Sequence, residues 1–600
     1  MGGFSSLYIG VSGLRASHNA INTTSHNLVN VNTKGYVRQQ VVFKDSGYNG
    51  IGAGANNSLQ VGLGVDVQDI RHIRDTLLDK AYRNESGRHS FYDKQYAAIN
   101  EVQEILGELD GVPFADYLVE LRESVYEIEK DPSSVVARSS LIQNAVAFIS
   151  RAEAIYDGLV NYQQTLNTEI VNMVNRVNEI GEEIFVLNKK ILAAEAGMES
   201  ANDLRDERDN LLDELSSIVQ IDYTEDEKGS VRVRAENVVF VNEYSVNHMG
   251  VKMLDTQENS DYYTPVWMGL GERQVYNLEA EVSTKRGNDV GALKGLLLAR
   301  GNAPADYTDI PDEEDPKYKL KDAAGNLLYN YEEDVDEYRR LVEPSTIKTV
   351  MAQFDQLIHE VVEQVNGVFC PDMSAEEAGL TGKTLSVKDE AGNVIDTITL
   401  TKDMKVLNTE KAGYSACFDK DGKRMQGYEL FSRKYTDRYI ECTDEAGNTY
   451  KVYNDNNEFG LESLYTLGNL ELNPEVLENK DLLGLTTKNG EVDQLRANDL
   501  AKAWETPYIK LGPDYVAYTD FAEYYSEYVG QIGNAGQLYE NMVNYQDSLA
   551  TGVDNRRMEI SGVSSEEELA YLIQFQNAYN AASRYITVVD EMLEHLLTRL

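Results

Sequence analysis

GVSGLRASHNAINTTSHNLVNVNTKGYVRQ, residues 10–39, reads as an amphipathic helix that carries asparagines on its tail and stops at Lys34, Gly35 and Tyr36. Phe4, Leu7, Val11, Leu14, His18, Ile21, Ser25 and Leu28 follow alternating steps of three and four, the spacing that draws one stripe along a helix. His18 and Ser25 interrupt that stripe. Such a helix is marginal in water by itself, and it is expected to stay disordered until partners bury it. Asparagine competes for nearby backbone groups and disfavours helix interiors. Asn27, Asn30 and Asn32 are therefore expected to hydrogen-bond where the helix ends, with Gly35 free to take a positive φ and Tyr36 starting an extended arm. On that reading, alanine at 27 and 30 stabilises the free helix and impairs assembly.

The far end of the chain has the same spacing. Leu572, Phe575, Tyr579, Ala582, Ile586, Val589, Leu593, Leu596 and Leu600 form a stripe, with Ser564 or Ser565 as cap and Glu566 to Glu568 in the first turn. One such stripe alone is an ordinary helix packed on its own domain. Two at opposite ends point to a single helical stem, and everything between Tyr36 and about Ser561 becomes an insertion.

The chain has 600 residues, more than one core usually supports, and 42% of them are hydrophobic. Its 100 Asp plus Glu against 55 Lys plus Arg give a formal charge of -45, which repels nucleic-acid phosphates and anionic lipid headgroups. Nucleic acid and membrane insertion are excluded as expectations, since no apolar run is long enough to span a bilayer. Cys370, Cys417 and Cys442 are too few and too scattered for a disulfide framework or a four-ligand zinc site; a single bridge or three buried thiols both remain open. The start lacks the basic and sustained apolar stretches of a cleavable signal, so export would need another route. It also fits a short myristoylation pattern through Gly2 and Ser6, but Phe4 is better explained as the first residue of the stripe.

Inside the ends, apolar residues alternate over residues 61–67 and then take helical spacing from Asp75, an extended arm feeding a helix. Residues 133–196 contain no proline and only Gly158 and Gly181, enough for a helix or helix pair of up to ~90 Å at 1.5 Å per residue. Helical pattern returns at 202–219, 292–300, 345–368 and about 515–551. Between these blocks Asp-x-Ala-Gly-Asn occurs at Asp322, Asp389 and Asp444, the last two between alternating runs that read as hairpins. The fold class expected is therefore α+β and multidomain: coiled-coil termini, a helical rod domain and an inserted β-rich outer domain. The boundaries drawn are 1–70 with 558–600 for the stem and arm, 71–370 with 500–557 for the rod, and 371–499 for the outer domain. The rod would include a small β section and a solvated acidic excursion near 302–340.

Signals for chemistry are few. HEVVE at 359–363 has Glu363 where a zinc-protease helix needs its second histidine, so the imidazole pair is missing. DKDG at 419–422 lacks the later ligands of a calcium loop and reads as a turn. The glycines of GYNGIGAGANN and VGLG are followed by no Lys-Ser or Lys-Thr and form no phosphate cradle. No catalytic, cofactor-binding or metal residue is assigned, and no cofactor is expected.

Residues 25–39, with GVSGLRASHNAINTTSHN before them, resemble the Asn-rich N-terminal signature of the bacterial flagellar rod, hook and hook-associated proteins. ANDLRDERDNLLDELSSIVQI from Ala201, VGALKGLLLARG from Val290, VMAQFDQLIHEVVEQVNGVF from Val350 and SGVSSEEELAYLIQFQNAYNAASRYITVVDEML from Ser561 resemble the hook-associated branch. The last is the most specific; rod and hook proteins are similar only around Gln576 to Tyr579. GEVDQLRANDLAKAWE from Gly490 looks like a degraded Gly-Asp-Asn-x-Asn-Ala pattern, and likeness is weak from 371 to 498.

The resemblance implies a structural, non-enzymatic part of the flagellum at the junction of hook and filament, exported unfolded through the flagellar type III channel. Its implied partners are copies of itself in a ring, the hook protein, the second junction protein (hook-associated protein 3) and an export chaperone. The stripe residues Leu7, Val11, Leu14, Ile21, Leu28, Leu572, Phe575, Gln576, Tyr579, Ala582, Ile586, Val589, Leu593 and Leu596 would be the assembly interface, together with Asn27, Asn30, Asn32, Gly35 and Tyr36. Two alternatives stay open: a secreted enzyme or adhesin acting through the β-rich insert, and a rod or hook subunit.

Overall fold

The computed structural model describes residues 2–51, 59–107, 113–197, 200–254, 261–320, 327–388, 393–418, 422–426, 428–455 and 464–599; the side chains of residues 2–5, 49–51, 59–61 and 316 lie outside that description. The described α-helices are α1 (Gly2–Val29), α2 (Thr76–Leu106), α3 (Phe114–Lys130), α4 (Val135–Ala196), α5 (Asn202–Ile218), α6 (Ala292–Arg300), α7 (Tyr331–Leu341), α8 (Thr346–Phe369), α9 (Pro474–Glu478), α10 (Gln494–Glu505), α11 (Phe521–Ser561) and α12 (Ser565–Arg599).

α4 is a single helix of 62 residues, ~93 Å at 1.5 Å per residue. Ser134 caps its start by accepting from Ala137 N. Its buried side is a continuous file, from Leu141 and Phe148 through Ile155, Leu166, Ile170 and Val177 to Ile184 and Ile191, so every turn meets a neighbour. α2, α3, α5, α6, α8, α10 and α11 pack along it or along one another to close one core. All nine residues of α6 are buried, and its two cations are paired: Lys294 Nζ donates to Asn288 O at 2.5 Å. Arg300 at its end is held by Tyr263 O at 2.9 Å and stacks on Tyr262.

Two three-stranded antiparallel sheets flank α4. One joins Ile221–Glu225, Val231–Ala235 and Val238–Val241; the other joins Met249–Met253, Tyr263–Trp267 and Arg273–Gln274. After α8 a six-stranded antiparallel sheet runs in the spatial order Asp372–Ser374, Lys405–Leu407, Thr449–Tyr453, Tyr439–Thr443, Thr384–Lys388, Val394–Thr399. It has its own small core of Leu385, Leu400, Val406, Cys442 and Val452. The Asp444 copy of the repeated turn closes one hairpin, with Asn448 N donating to Asp444 Oδ1. The Asp322 and Asp389 copies, DKDG up to Asp421, and the glycine run at 52–57 lie outside the described residues.

Leu430, Phe431, Leu470, Leu485 and Leu500 belong to the large core rather than to that of the sheet. The insert is therefore bonded to the helical body, not hung from it. A division at 499/500 falls inside α10, and one at 557/558 falls inside α11; we propose to keep both helices whole with the body. The acidic segment near 302–340 is only partly solvated. EEDVDEY lies in α7, which buries Val335 and Tyr338, while Lys348 holds Asp309 at 3.2 Å and Lys510 holds Asp312 at 3.3 Å. Burial of the tyrosine outweighs the polarity that the charge run suggested.

Candidate functional site: the terminal stem and its root

α1 and α12 lie antiparallel, with Gly10 opposite Ile586 and Asn27 opposite Glu568. A Cβ on Gly10 would stand 2.6 Å from Ile586 Cγ1, so the Ile586 side chain seats on the bare backbone of Gly10. The N-terminal segment, expected to be disordered when free, is thus a helix laid on its own C-terminus, because α12 supplies the missing partner within the chain.

The line of α1 that is closed is displaced by one residue from the apolar stripe. Gly10, Ser17, Ala20, Thr24 and Asn27 are buried, whereas Leu7, Leu14, Ile21 and Leu28 are half-buried and Val11 is 41% exposed. On α12 the apolar stripe itself faces α1. Leu572, Phe575, Ala582, Ile586 and Leu593 are half-buried and Val589 is buried; Gln576, Tyr579 and Leu596 remain exposed. Phe575 meets Phe43 of the arm and Tyr579 meets His18. Beside the closed seam, apolar residues stay open on both helices: Tyr8 and Val29 on α1, Tyr585, Val588 and Met592 on α12.

The stem is locked at its root by Asn27. Its Nδ2 donates to Gln39 O at 2.9 Å and to Glu568 Oε2 at 3.1 Å; its Oδ1 accepts from Gln39 N at 3.0 Å and from the Tyr36 hydroxyl at 2.8 Å. Burial, then the charges of Asp203, Asp206 and Glu568, hold that hydroxyl protonated well above its ordinary value. Asn30 bonds its own helix at His26 O, and Asn32 is exposed. Gly35 turns the chain with φ +77°, and a Cβ there would stand 1.8 Å from Asn210 Oδ1.

Arg38 then crosses to α12 and α11: Nε donates to Glu568 Oε1 at 2.8 Å, N donates to Ser561 O at 2.8 Å, and the guanidinium lies over the Tyr571 ring. From Gln39 the arm runs out and back as two antiparallel strand pairs, Gln39–Asp45 with Val65–His72 and Tyr48–Ile51 with Leu59–Gly62. From the sequence Glu568 was read only as a first-turn acid of the C-terminal helix and Ser561 only as the end of the insertion, and Arg38 was given no role. The signal that could have found Glu568 was a carboxylate at the stripe step before Leu572.

α5 anchors the root to the body. Its aspartates recur on one face: Asp206 accepts from Val37 N at 3.0 Å, Asp209 pairs with Arg74 and Arg83, and Asp213 pairs with Arg83 and Arg557 at 2.6 and 2.7 Å. Arg557 also lies over Tyr82, tying the end of α11 to the start of α2. The pairs are half-enclosed and hydrogen-bonded, the setting in which ion pairs orient rather than merely screen.

His359 of HEVVE stacks on Tyr307 at 3.5 Å with Nδ1 3.1 Å from Tyr465 O, and Glu363 faces Arg438. Among the described residues no group of three His, Cys, Asp or Glu is placed to hold a metal ion, no helix is long and apolar enough to cross a membrane, and no disulfide joins the three cysteines, of which Cys417 is half-buried.

Comparison with known proteins supports the same regions. Residues 99–377 match the model of the flagellar hook-associated protein FlgK helical domain, 7–36 that of the flagella basal body rod protein, and 555–599 that of the flagellar basal body rod FlgEFG protein C-terminal. The chain is similar to flagellar hook-associated protein 1 of Bacillus subtilis, 23% identical with 97% of this chain and 96% of the relative covered. It is also similar to that of Escherichia coli, 22% identical with 98% of each covered. The solved flagellar hook junction protein FlgK from Burkholderia pseudomallei aligns with a TM-score of 0.45 and 13% identity over 82% of this chain and 100% of that one. With three family models in order along the chain and relatives matched from end to end, the chain is similar to flagellar hook-associated protein 1 over its whole length and is a structural component of the bacterial flagellum.

Proposed function

We propose that the chain forms a ring of copies at the distal end of the hook and makes the junction on which the filament is built. The observation that carries this is the stem: one seam is closed within the chain, while Tyr8, Val11 and Val29 of α1 and Tyr585, Val588 and Met592 of α12 remain exposed beside it. Apolar residues left open along a finished interface mark an interaction surface. Copies placed side by side would bury them. We read the chain as non-enzymatic, exported through the flagellar type III channel without a cleaved signal peptide, and residing outside the cell. The hook protein below, hook-associated protein 3 above and an export chaperone are its proposed partners. The test is deletion of the gene. Hooks without filaments, with flagellin lost to the medium, are expected; filaments of normal length on the deletion strain would overturn the reading.

A further inference from the structure

At the root of the stem, His72 Nε2 and Asp206 Oδ1 face each other at 3.6 Å, and neither atom has any other hydrogen-bond partner. Both side chains are enclosed, at 12% and 8% exposure. Asp206 Oδ2 meanwhile accepts from Val37 N, the first backbone group of the arm after the Gly35 turn. A buried carboxyl facing a buried imidazole with nothing between them calls for one proton. We propose that His72 and Asp206 form a one-proton latch that seats the arm, and hence the stem, on α5.

With the proton on Asp206, Oδ1–H donates to Nε2 of a neutral imidazole, Oδ2 still accepts from Val37, and no net charge is buried. Loss of that proton leaves a carboxylate enclosed near Asp203 and Asp209 of α5, and the ring must carry its hydrogen on Nε2 instead. Arg74 and Arg205 are the cations facing the pair, and Tyr36 and Glu568 lie across the arm. Burial, outweighing the Val37 hydrogen bond, raises the Asp206 carboxyl to about 7; burial, then Arg74, lowers the His72 imidazole to about 4.

The signs follow from linkage. A raised carboxyl contributes stability that is full below its unfolded value and lost as pH rises through 7; a lowered imidazole contributes stability present above its unfolded value and lost as pH falls through 4. Between these limits the two slopes oppose and nearly cancel. Between about 6.5 and 7 only the Asp206 slope remains, so the arm loosens as pH rises through neutrality and the profile levels above it, where the carboxyl is ionised in both states. The inference concerns the chain alone and stands whether or not the junction reading holds.

The experiment is amide exchange at Val37 in the full-length protein from pH 4 to 8, corrected for intrinsic exchange. Wild type should be nearly flat to pH 6.5, lose about twofold in protection by pH 8 and level off there. His72→Gln should lose protection steadily from near pH 5. Asp206→Asn should gain protection up to about pH 6.5 and stay flat above it. Opposite slopes in the two variants support the latch; slopes of the same sign, or profiles equal to wild type, overturn it. If Asp206→Asn does not fold, His72→Gln decides, because an unchanged profile there is equally fatal.

Discussion

Asn27 makes four hydrogen bonds from a site 1% exposed, so Asn27→Ala leaves Glu568 and both backbone groups of Gln39 short of a partner. The expected cost is about 2–3 kcal/mol, read as faster amide exchange across α1 in the free protein. This reverses the sequence-based expectation that alanine at 27 stabilises the helix, because the side chain is spent on the arm and α12 rather than on its own helix. Asn30→Ala, whose side chain bonds only locally, to His26 O and the Thr33 hydroxyl, should stay within about 0.5 kcal/mol of wild type. Gly35→Ala should cost about 1–2 kcal/mol from the left-handed backbone alone. It also drives a methyl into Asn210, so Gly35→Ala with Asn210→Ala should recover part of the melting temperature but not all. The glycine's positive φ was legible in Lys-Gly-Tyr; Asn210 as the reason no side chain fits was not, since 175 residues separate the two in the chain.

At the scale of elements, the stem separates folding from assembly. Gly10→Val strikes the closed seam against Ile586 and should weaken docking of α1 onto α12, seen as protease sensitivity of the first thirty or so residues. Val588→Asp with Met592→Asp strikes the open face, at 49% and 63% exposure. It should leave melting and helix content as in wild type yet abolish filament growth in complementation; normal filaments would show that the open face is unused. The stripe on α12 was readable from its heptad steps. On α1 those steps belong equally to Leu7, Val11, Leu14 and to their smaller neighbours Gly10, Gly13 and Ser17. Only the seating of α12 side chains such as Ile586 and Ala582 against Gly10 and Gly13 decides that the small residues turn inward.

For the molecule as a whole, the two cores predict two kinds of damage. Leu385 is fully buried in the small core of the six-stranded sheet, so Leu385→Asp should unfold that sheet while the helical transition is unchanged. Removing 371–499 entirely should destabilise the rod as well, because Phe431, Leu470 and Leu485 fill the core that α8 and α10 share. A rod that melts as in wild type after that deletion would show the insert to be independent. Arg557→Ala should lower the melting temperature of the body, since Asp213 and Asp79 then face each other across α2, α5 and α11 with one cation fewer.

Periodicity and composition by themselves determined the long helices, the two terminal stripes, the hairpin around Asp444 and the acidic balance, because these depend on neighbours within a few residues; α3, α7 and α10 were not read from them. The tertiary structure alone decided which line of α1 closes, that Asn27 bonds across 541 positions to Glu568, that the face of α5 bearing Asp206, Asp209 and Asp213 grips three arginines, and that the insert shares the core of the rod. Those are pairings between distant segments. Their energy comes from enclosure and from geometry at a single meeting point, and no local spacing carries it.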